Sequence, residues 1–74
     1  MSVTIKLFAM FQKGRFTIET RDYPPKTTVE DIVNDLQIPK TEIGVMLVNS
    51  RHVDFDYCPD GGAVLAIFPV IGGG

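Results

Sequence analysis

Two segments near the start of the chain alternate apolar and polar residues with a period of two. The odd-numbered residues of Val3–Phe11 are apolar, and Phe16–Thr20 alternates again after the polar, glycine-containing connection Gln12–Arg15. This period is typical of strands with one buried face. The first 20 residues are therefore predicted to form a β-hairpin, with the odd-numbered face of its first strand in the core and with Phe8 and Met10 on the opposite face.

A helical spacing follows the segment Arg21–Lys26, which contains two adjacent prolines and is therefore predicted to be an irregular linker. The next apolar residues recur at intervals of three and four and form one stripe on a helix of about ten residues. The stripe consists of Val29, Ile32, Val33 and Leu36. Thr27 and Thr28 are N-cap candidates, and Thr27 with Glu30 fits the capping box T-x-x-E. Pro39 is expected to end the helix, whose apolar stripe should pack on the sheet.

The second half of the chain contains two apolar runs that are short enough to be buried strands, Val45–Val48 and Ala63–Phe68. Between them the sequence predicts a turn at Asn49–Arg51, a short return strand at His52–Val53, a loop at Asp54–Cys58 anchored by Phe55 and Tyr57, and a turn at Pro59–Gly62. Pro69 should end the pairing of the last strand. The predicted class is α+β, with a mixed sheet of four to five strands and one main helix on one face, which is the β-grasp topology.

The last predicted strand is apolar at both parities, although a single helix covers only one face of a sheet. A central strand in a small protein is one explanation. The other is a partner-binding surface, because contiguous exposed apolar area normally marks an interaction site. We favour this second interpretation, in which Phe8 and Met10 join one parity of the last strand on the uncovered face. The residues of that parity are Val64, Ala66 and Phe68.

Composition narrows the class of protein. With 74 residues the chain makes one small domain, too short to enclose a substrate between two lobes. Its single cysteine excludes an intramolecular disulfide, and no Cys/His cluster indicates a metal site. The net charge is −2, whereas proteins that bind nucleic acid or anionic membranes usually carry an excess of basic residues. The charge therefore does not indicate such a partner. Without a signal peptide or an apolar run of membrane-spanning length, the protein is expected to be cytoplasmic.

The remaining reactive side chains carry weak signals. Cys58 has no histidine placed as its base, so a small, partly buried side chain is expected rather than a nucleophile. His52 has no neighbouring ligands and is expected to be solvated or packed rather than metal-bound. The carboxylates of the late loops indicate either a solvated segment or an acidic rim for a basic partner. They belong to Asp54, Asp56 and Asp60.

Three of the seven glycines are the last three residues, Gly72, Gly73 and Gly74. Because glycine loses the most backbone freedom on ordering, this segment cannot stabilise the fold. A frayed or added end is one explanation. The other is functional, because a carboxylate that must pass through a narrow channel to another enzyme's nucleotide should carry no side chains. The expected organisation is a folded domain at 1–71 and a flexible tail at 72–74.

Several segments, which together cover much of the chain, resemble those of a known protein family. They are Ile5–Ala9, Thr27–Asp31, Ile38–Asp54, Pro59–Gly62 and Ile67–Gly74. These segments are similar to the MoaD/ThiS family of ubiquitin-like sulfur carriers. The glycine tail after an aromatic-Pro-Val strand end is the most specific of them. The resemblance implies a β-grasp protein that acts as substrate and carrier rather than as a catalyst, with no bound cofactor.

The same resemblance implies a mechanism. A ubiquitin-activating-type enzyme would use ATP to adenylate the C-terminal carboxylate of Gly74, or of Gly73 if the chain is trimmed. Gly72 and Gly73 would thread the channel of that enzyme. Sulfur from a persulfide would replace AMP, and a synthase subunit would accept it from the thiocarboxylate. The free protein would be a monomer. The implied partner-binding residues are Phe8, Met10, Phe68, Pro69, Val70 and Ile71.

More than one function fits the resemblance. Leu7–Ala9 and Phe68–Pro69 favour molybdopterin or tungstopterin synthesis, whereas the three terminal glycines fit thiamine synthesis equally well. The alternative function is a ubiquitin-like modifier, in which a protein lysine attacks the same activated glycine. A β-grasp interaction module with an inert end is the third hypothesis.

Overall fold

The computed structural model describes residues 1–71, so the predicted functional residues Gly72, Gly73 and Gly74 lie outside the described part of the chain. Within it, five strands form one sheet in the order β2-β1-β5-β3-β4. The elements are β1 (Ser2–Leu7), β2 (Ile18–Asp22), α1 (Val29–Asp35), β3 (Ile43–Val48), β4 (Arg51–His52) and β5 (Ala63–Pro69). The β1–β5 pair is parallel and the other pairs are antiparallel. The predicted α+β class with a mixed sheet and one main helix is confirmed.

The core lies between α1 and one face of the sheet. The predicted helical stripe of Val29, Ile32, Val33 and Leu36 is buried, with no member more than 6% exposed. It packs against alternate residues of the parallel strands β1 and β5, which are Val3, Ile5 and Leu7 of β1 and Ala63, Leu65 and Ile67 of β5. Each fully buried aliphatic side chain contributes roughly 1.5–3 kcal/mol, so this layer supplies most of the stability.

The predicted hairpin forms, but its first strand is shorter than the alternation indicates. β1 ends at Leu7, and Ala9–Gln12 is a 3₁₀ turn in which Ala9 has a φ of +54°. The Gln12 side-chain amide donates a 2.9 Å hydrogen bond to the Leu7 carbonyl and closes the strand end. The predicted strand through Phe11 is therefore wrong, because Phe11 reaches the core from the turn, where it is 2% exposed.

The second strand starts later than predicted. β2 begins at Ile18 rather than Phe16, and it includes Arg21 and Asp22, which were assigned to the linker. The pairs between β1 and β2 run from Ser2↔Asp22 to Lys6↔Ile18. The bounds of β2 are therefore those of the segment that pairs with β1. Phe16 instead lies before the strand and packs, partly buried, against the core. Both sequence boundaries were wrong because cross-strand pairing outweighs the local alternation.

The N-cap of α1 is Thr28, the second of the two predicted candidates. The Thr28 hydroxyl accepts a hydrogen bond from the Asp31 N–H at 3.1 Å, and the Asp31 carboxylate accepts one from the Thr28 N–H at 3.0 Å. These reciprocal bonds are a capping box. The predicted pair of Thr27 and Glu30 is wrong, because the buried Thr27 hydroxyl donates to the Pro24 carbonyl at 2.6 Å.

The helix also ends earlier than predicted, because Pro39 was expected to end it. Its last residue is Asp35, which makes it seven residues long. Gln37 adopts a φ of +58°, and across it the Ile38 N–H donates to the Val33 carbonyl at 3.0 Å. This arrangement is a Schellman-type C-cap. No sequence signal predicted it, because glutamine stands where glycine is usual.

An arginine from the β1–β2 connection completes this C-cap. The Arg15 guanidinium donates to the carbonyls of Leu36 at 3.0 Å, Gln37 at 3.1 Å and Phe11 at 3.2 Å. A cation is also favoured near the C-terminal end of the helix dipole. Arg15 therefore joins the hairpin connection to the helix end.

The segment after β3 contains a tight hairpin. Asn49 and Ser50 have φ values of +50° and +71°, which are typical of a type I′ turn. The return strand β4 is Arg51–His52 rather than His52–Val53, although the Val53 N–H still donates to the Met46 carbonyl at 3.2 Å.

The loop after β4 closes the N-terminal end of α1. The Val29 N–H donates to the Tyr57 carbonyl at 2.8 Å, and the Glu30 N–H donates to the Phe55 carbonyl at 2.9 Å. Phe55 packs partly buried against the core, as predicted. The predicted anchoring by the Tyr57 side chain is wrong, because that side chain is 41% exposed. Its backbone carbonyl makes the attachment instead.

The capping box gives the first testable prediction. Thr28→Ala should lower the free energy of unfolding by about 1 kcal/mol, because it removes the oxygen that accepts from the Asp31 N–H. Thr28→Ser keeps that oxygen and should lose much less. Urea denaturation of both variants beside the parent protein measures the difference, and equal losses for alanine and serine would contradict the assignment.

Candidate functional site

The face of the sheet opposite α1 is not covered by any helix within residues 1–71. The strand registers arrange its side chains in rows across the sheet. One row contains Ile18, Lys6, Ala66, Leu47 and His52. The next contains Phe68 and Val45, together with Phe8, which follows β1 and stacks on Phe68. We call the side chains of these two rows the outer face. Most of them are apolar, so this surface is a candidate docking site.

An aromatic pair lies in the second row of the outer face. The rings of Phe8 and Phe68 stack with their centroids 4.1 Å apart and their planes 13° from parallel. Both side chains are half-buried. The sequence predicted that they would lack intramolecular cover, and the structure corrects this, because each ring covers part of the other. The chain turns immediately after Phe8, at the positive φ of Ala9.

Met10 does not occupy its predicted position on the first strand. It lies in the 3₁₀ turn Ala9–Gln12 and is 57% exposed. The alternation placed it beside Phe8, but the chain turns at Ala9, so the alternation of the strand does not extend to Met10. Its part in partner binding remains a prediction.

Three apolar residues of the outer face were not predicted to lie there. Val45 and Leu47 were assigned to a buried strand, yet both are only half-buried and lie opposite Phe68 and Ala66. Ile18 is 55% exposed at the β2 edge. The sequence pattern could have predicted Val45 and Leu47 on the outer face, because β3, like β5, has apolar residues at both its odd and its even positions.

The C-terminal end of β5 continues the apolar surface. Pro69 pairs with Ile43, so pairing does not stop at Phe68 as predicted. The Val70 N–H then donates to the Glu42 carbonyl at 2.9 Å. Beyond this bond, Val70 is 54% and Ile71 is 94% exposed. The predicted docking residues Phe68, Pro69, Val70 and Ile71 line an apolar groove of about 420 Å³ at this end of the outer face.

A cluster of charged and phenolic groups lies at the junction of β2 and α1. Hydrogen bonds from Arg21 to Glu19 and Asp35 raise the pKa of Arg21 above its ordinary value. Partial burial, together with a 2.9 Å hydrogen bond to Asp35, raises the pKa of Tyr23 to about 12. These contacts join the helix to the edge strand and therefore support the fold rather than the outer face.

The other polar positions singled out in the sequence are dispersed. Cys58 is exposed, not partly buried as expected, and its sulfur lies 3.6 Å from the Lys26 carbonyl. His52 is exposed beside Leu47, and the carboxylates of Asp54, Asp56 and Asp60 are also exposed. Among residues 1–71, no group of three or more His, Cys, Asp and Glu side chains is placed to hold a metal ion. No helix of this part of the chain has the length and hydropathy to cross a membrane.

A mixed five-stranded sheet with one helix on one face defines a ubiquitin-like β-grasp protein. The family model described as Mut7-C ubiquitin matches residues 5–72. The chain therefore belongs to the Mut7-C ubiquitin family. This confirms the predicted β-grasp fold and the resemblance to ubiquitin-like proteins of the MoaD/ThiS kind. A comparison with curated proteins gave no significant match.

Several solved structures share this fold. A Pyrococcus furiosus protein, provisionally described as molybdopterin converting factor subunit 1, is 26% identical with a TM-score of 0.77, over 93% of this chain and 97% of that chain. SAMP1 from Haloferax volcanii is 23% identical with a TM-score of 0.76, over the whole of both chains. The complex of subunits 1 and 2 of the Helicobacter pylori molybdopterin-converting factor provides a match of 16% identity with a TM-score of 0.67, over the whole of both chains.

The aromatic stack gives the second prediction. Phe8→Ala and Phe68→Ala should each destabilise the protein, and the double variant should lose less than the sum of the two losses. The difference between that sum and the loss in the double variant is the coupling energy of the two rings, about 0.5–1.5 kcal/mol. Chemical denaturation of the parent and the three variants gives this value. Strictly additive losses would show that the contact between the rings contributes nothing to stability.

Proposed function

We propose that the protein is a carrier whose C-terminal carboxylate is activated by a partner enzyme and converted to a thiocarboxylate. The main support is the position at which the chain leaves the sheet. The exposed Val70 and Ile71 follow β5 at the end of the outer face that holds the Phe8–Phe68 stack. A partner docked on this apolar surface would receive the terminal residues directly. The reacting atom then belongs to the carrier, and the catalytic pocket belongs to the partner.

The proposed chemistry begins at Gly74, or at Gly73 after trimming. The carboxylate attacks the α-phosphate of ATP, and pyrophosphate leaves to give an acyl-adenylate. A persulfide then attacks the acyl carbon, AMP leaves, and a thiol cleaves the resulting S–S bond to release the thiocarboxylate. A glycine suits each step, because the acyl carbon has no neighbouring Cβ to obstruct the nucleophile.

The proposed pathway is the synthesis of a pterin-dithiolene cofactor, with thiamine synthesis as the alternative. The 26% identical protein described as molybdopterin converting factor subunit 1 supports the first pathway. The Helicobacter pylori complex adds that a chain of this fold occurs together with a second subunit. We therefore propose a sulfur-accepting synthase subunit and a ubiquitin-activating-type enzyme as the partners of a carrier that is itself not a catalyst.

A ubiquitin-like modifier is the second candidate. It is supported by the similarity over both full chains to SAMP1, since a Haloferax volcanii structure is also described as small archaeal modifier protein 1. In this case a lysine amine attacks the activated acyl carbon and an isopeptide bond forms. The two functions share the activation step and differ in the nucleophile that follows.

Truncation and mass spectrometry provide the third prediction. Protein isolated from its native host should contain a species about 16 Da heavier than the carboxylate, the difference between sulfur and oxygen. Lysine-linked conjugates in place of this species would favour the modifier. Deleting Gly73 and Gly74 together should abolish ATP–pyrophosphate exchange with the activating enzyme.

The Gly74 deletion alone is the matched control, because it leaves a chain that ends in Gly73. Retained exchange in this variant would show that a chain ending in Gly73 is activated, and lost exchange would show that Gly74 is required. If the double deletion is activated as well as the parent protein, neither Gly73 nor Gly74 is needed for activation, and the proposed role of these two residues is wrong.

A further inference from the structure

Gly44 lies in β3 where the pairing with β5 is irregular. Ile43 pairs with Pro69 and Val45 with Phe68, so Gly44 has no partner residue of its own and the register shifts there. A bulge of this kind bends the strand and changes the direction of the neighbouring chain. The part of β5 beside it is Phe68–Pro69, directly before the chain leaves the sheet.

Glycine is required at this position by close packing rather than by a positive φ. A Cβ added at Gly44 would lie 2.8 Å from the Pro69 carbonyl oxygen, 2.9 Å from the Val70 Cα and 3.1 Å from the Pro69 carbonyl carbon. Carbon atoms normally pack at about 3.5–4.0 Å. All three neighbours are backbone atoms, so no change of side-chain rotamer relieves the overlap. Any larger residue must displace Pro69 and Val70.

The close packing of Pro69 and Val70 against Gly44 also places Val70 next to its hydrogen-bond partner. The Val70 N–H donates to the Glu42 carbonyl at 2.9 Å, and the next residue, Ile71, is 94% exposed. Pro69 has no N–H to donate. The contact with Gly44 and the Val70–Glu42 bond thus together fix the chain where it leaves the sheet.

We propose that Gly44 is a positioning residue that sets the direction in which the C-terminal residues leave the outer face. Its role in the reaction rests on the proposed carrier function. From Val70 onwards the five remaining residues extend at most about 17 Å. A change of direction at Val70 therefore displaces the terminal carboxylate relative to a partner docked on the outer face. Misplacing a reacting group by about 1 Å can lower a rate a hundredfold.

The first test does not depend on function. Gly44→Ala should increase the amide hydrogen exchange rate of Val70 at least about tenfold, because the bond to Glu42 is lost. Gly61→Ala is the matched control, because a Cβ there would meet only the Met1 Cβ, at an ordinary 3.6 Å. An unchanged Val70 exchange rate in folded Gly44→Ala would overturn the proposal.

The second test measures ATP–pyrophosphate exchange with the activating enzyme, at a temperature where each variant is fully folded. Gly44→Ala should reduce kcat roughly tenfold or more while leaving KM for the carrier within about twofold, since the outer face still docks. Gly61→Ala should match the parent protein. A merely structural role for Gly44 predicts no change in kcat for folded protein, and that result would overturn the reaction part of the proposal.

If Gly44→Ala does not fold, two variants at Val70 replace it. Val70→Pro and Val70→Ala both remove the valine side chain, but only proline also removes the N–H that donates to Glu42. A lower kcat for Val70→Pro than for Val70→Ala supports the proposal, and equal values contradict it. If the parent protein is not activated at all, the proposed function fails, while the Val70 exchange rate still decides whether Gly44 holds this segment.

Discussion

A seven-residue helix has to cover a five-stranded sheet, and most of the molecule follows from this constraint. The helix buries one face through its stripe of Val29, Ile32, Val33 and Leu36. The parallel strands β1 and β5 supply the matching side chains from alternate positions. Their other positions face away from the helix. The outer face is therefore a direct consequence of a core that is built on one side.

So short a helix is marginal in isolation, and the structure stabilises both of its ends. Thr28 and Asp31 form the capping box, and the carbonyls of Phe55 and Tyr57 accept from the first helical N–H groups. At the other end, Arg15 donates to the carbonyls of residues 36 and 37. The two loops that hold the helix come from distant parts of the chain. The fold is thus closed around the helix, while the outer face and the end of β5 remain available to a partner.

The outer face and the C-terminal residues form one functional unit under the proposed function. The Phe8–Phe68 stack anchors an apolar surface, and β5 leads from it to the exposed Val70 and Ile71. The contact of Gly44 with Pro69 and Val70 then determines where the chain points. Under this proposal a small protein needs no enclosed pocket of its own, because it docks on its partner and presents its terminus there.

The errors in the sequence predictions share a physical origin. Alternation extended the first strand to Phe11, but Phe11 is buried from a 3₁₀ turn that the side chain of Gln12 helps to close. The spacing T-x-x-E favoured Thr27 as the N-cap, whereas the Thr27 hydroxyl is used by the Pro24 carbonyl. In both cases a polar side chain forms a hydrogen bond that the spacing of residue types in the sequence does not predict. Short-range hydrogen bonds from side chains to the backbone therefore moved these element boundaries without changing the order of the elements.

The sequence by itself determined the α+β class, the order of the elements, the buried helical stripe and the surplus of apolar residues in the last strand. Those features depend on periodicity and on proline and glycine positions, which are local properties. Only the tertiary structure decided that Val45 and Leu47 share the outer face with Phe68, and that Gly44 touches the start of the C-terminal segment. Strand register and close backbone contact are set between distant segments, because side-chain packing and hydrogen bonds across the sheet select them.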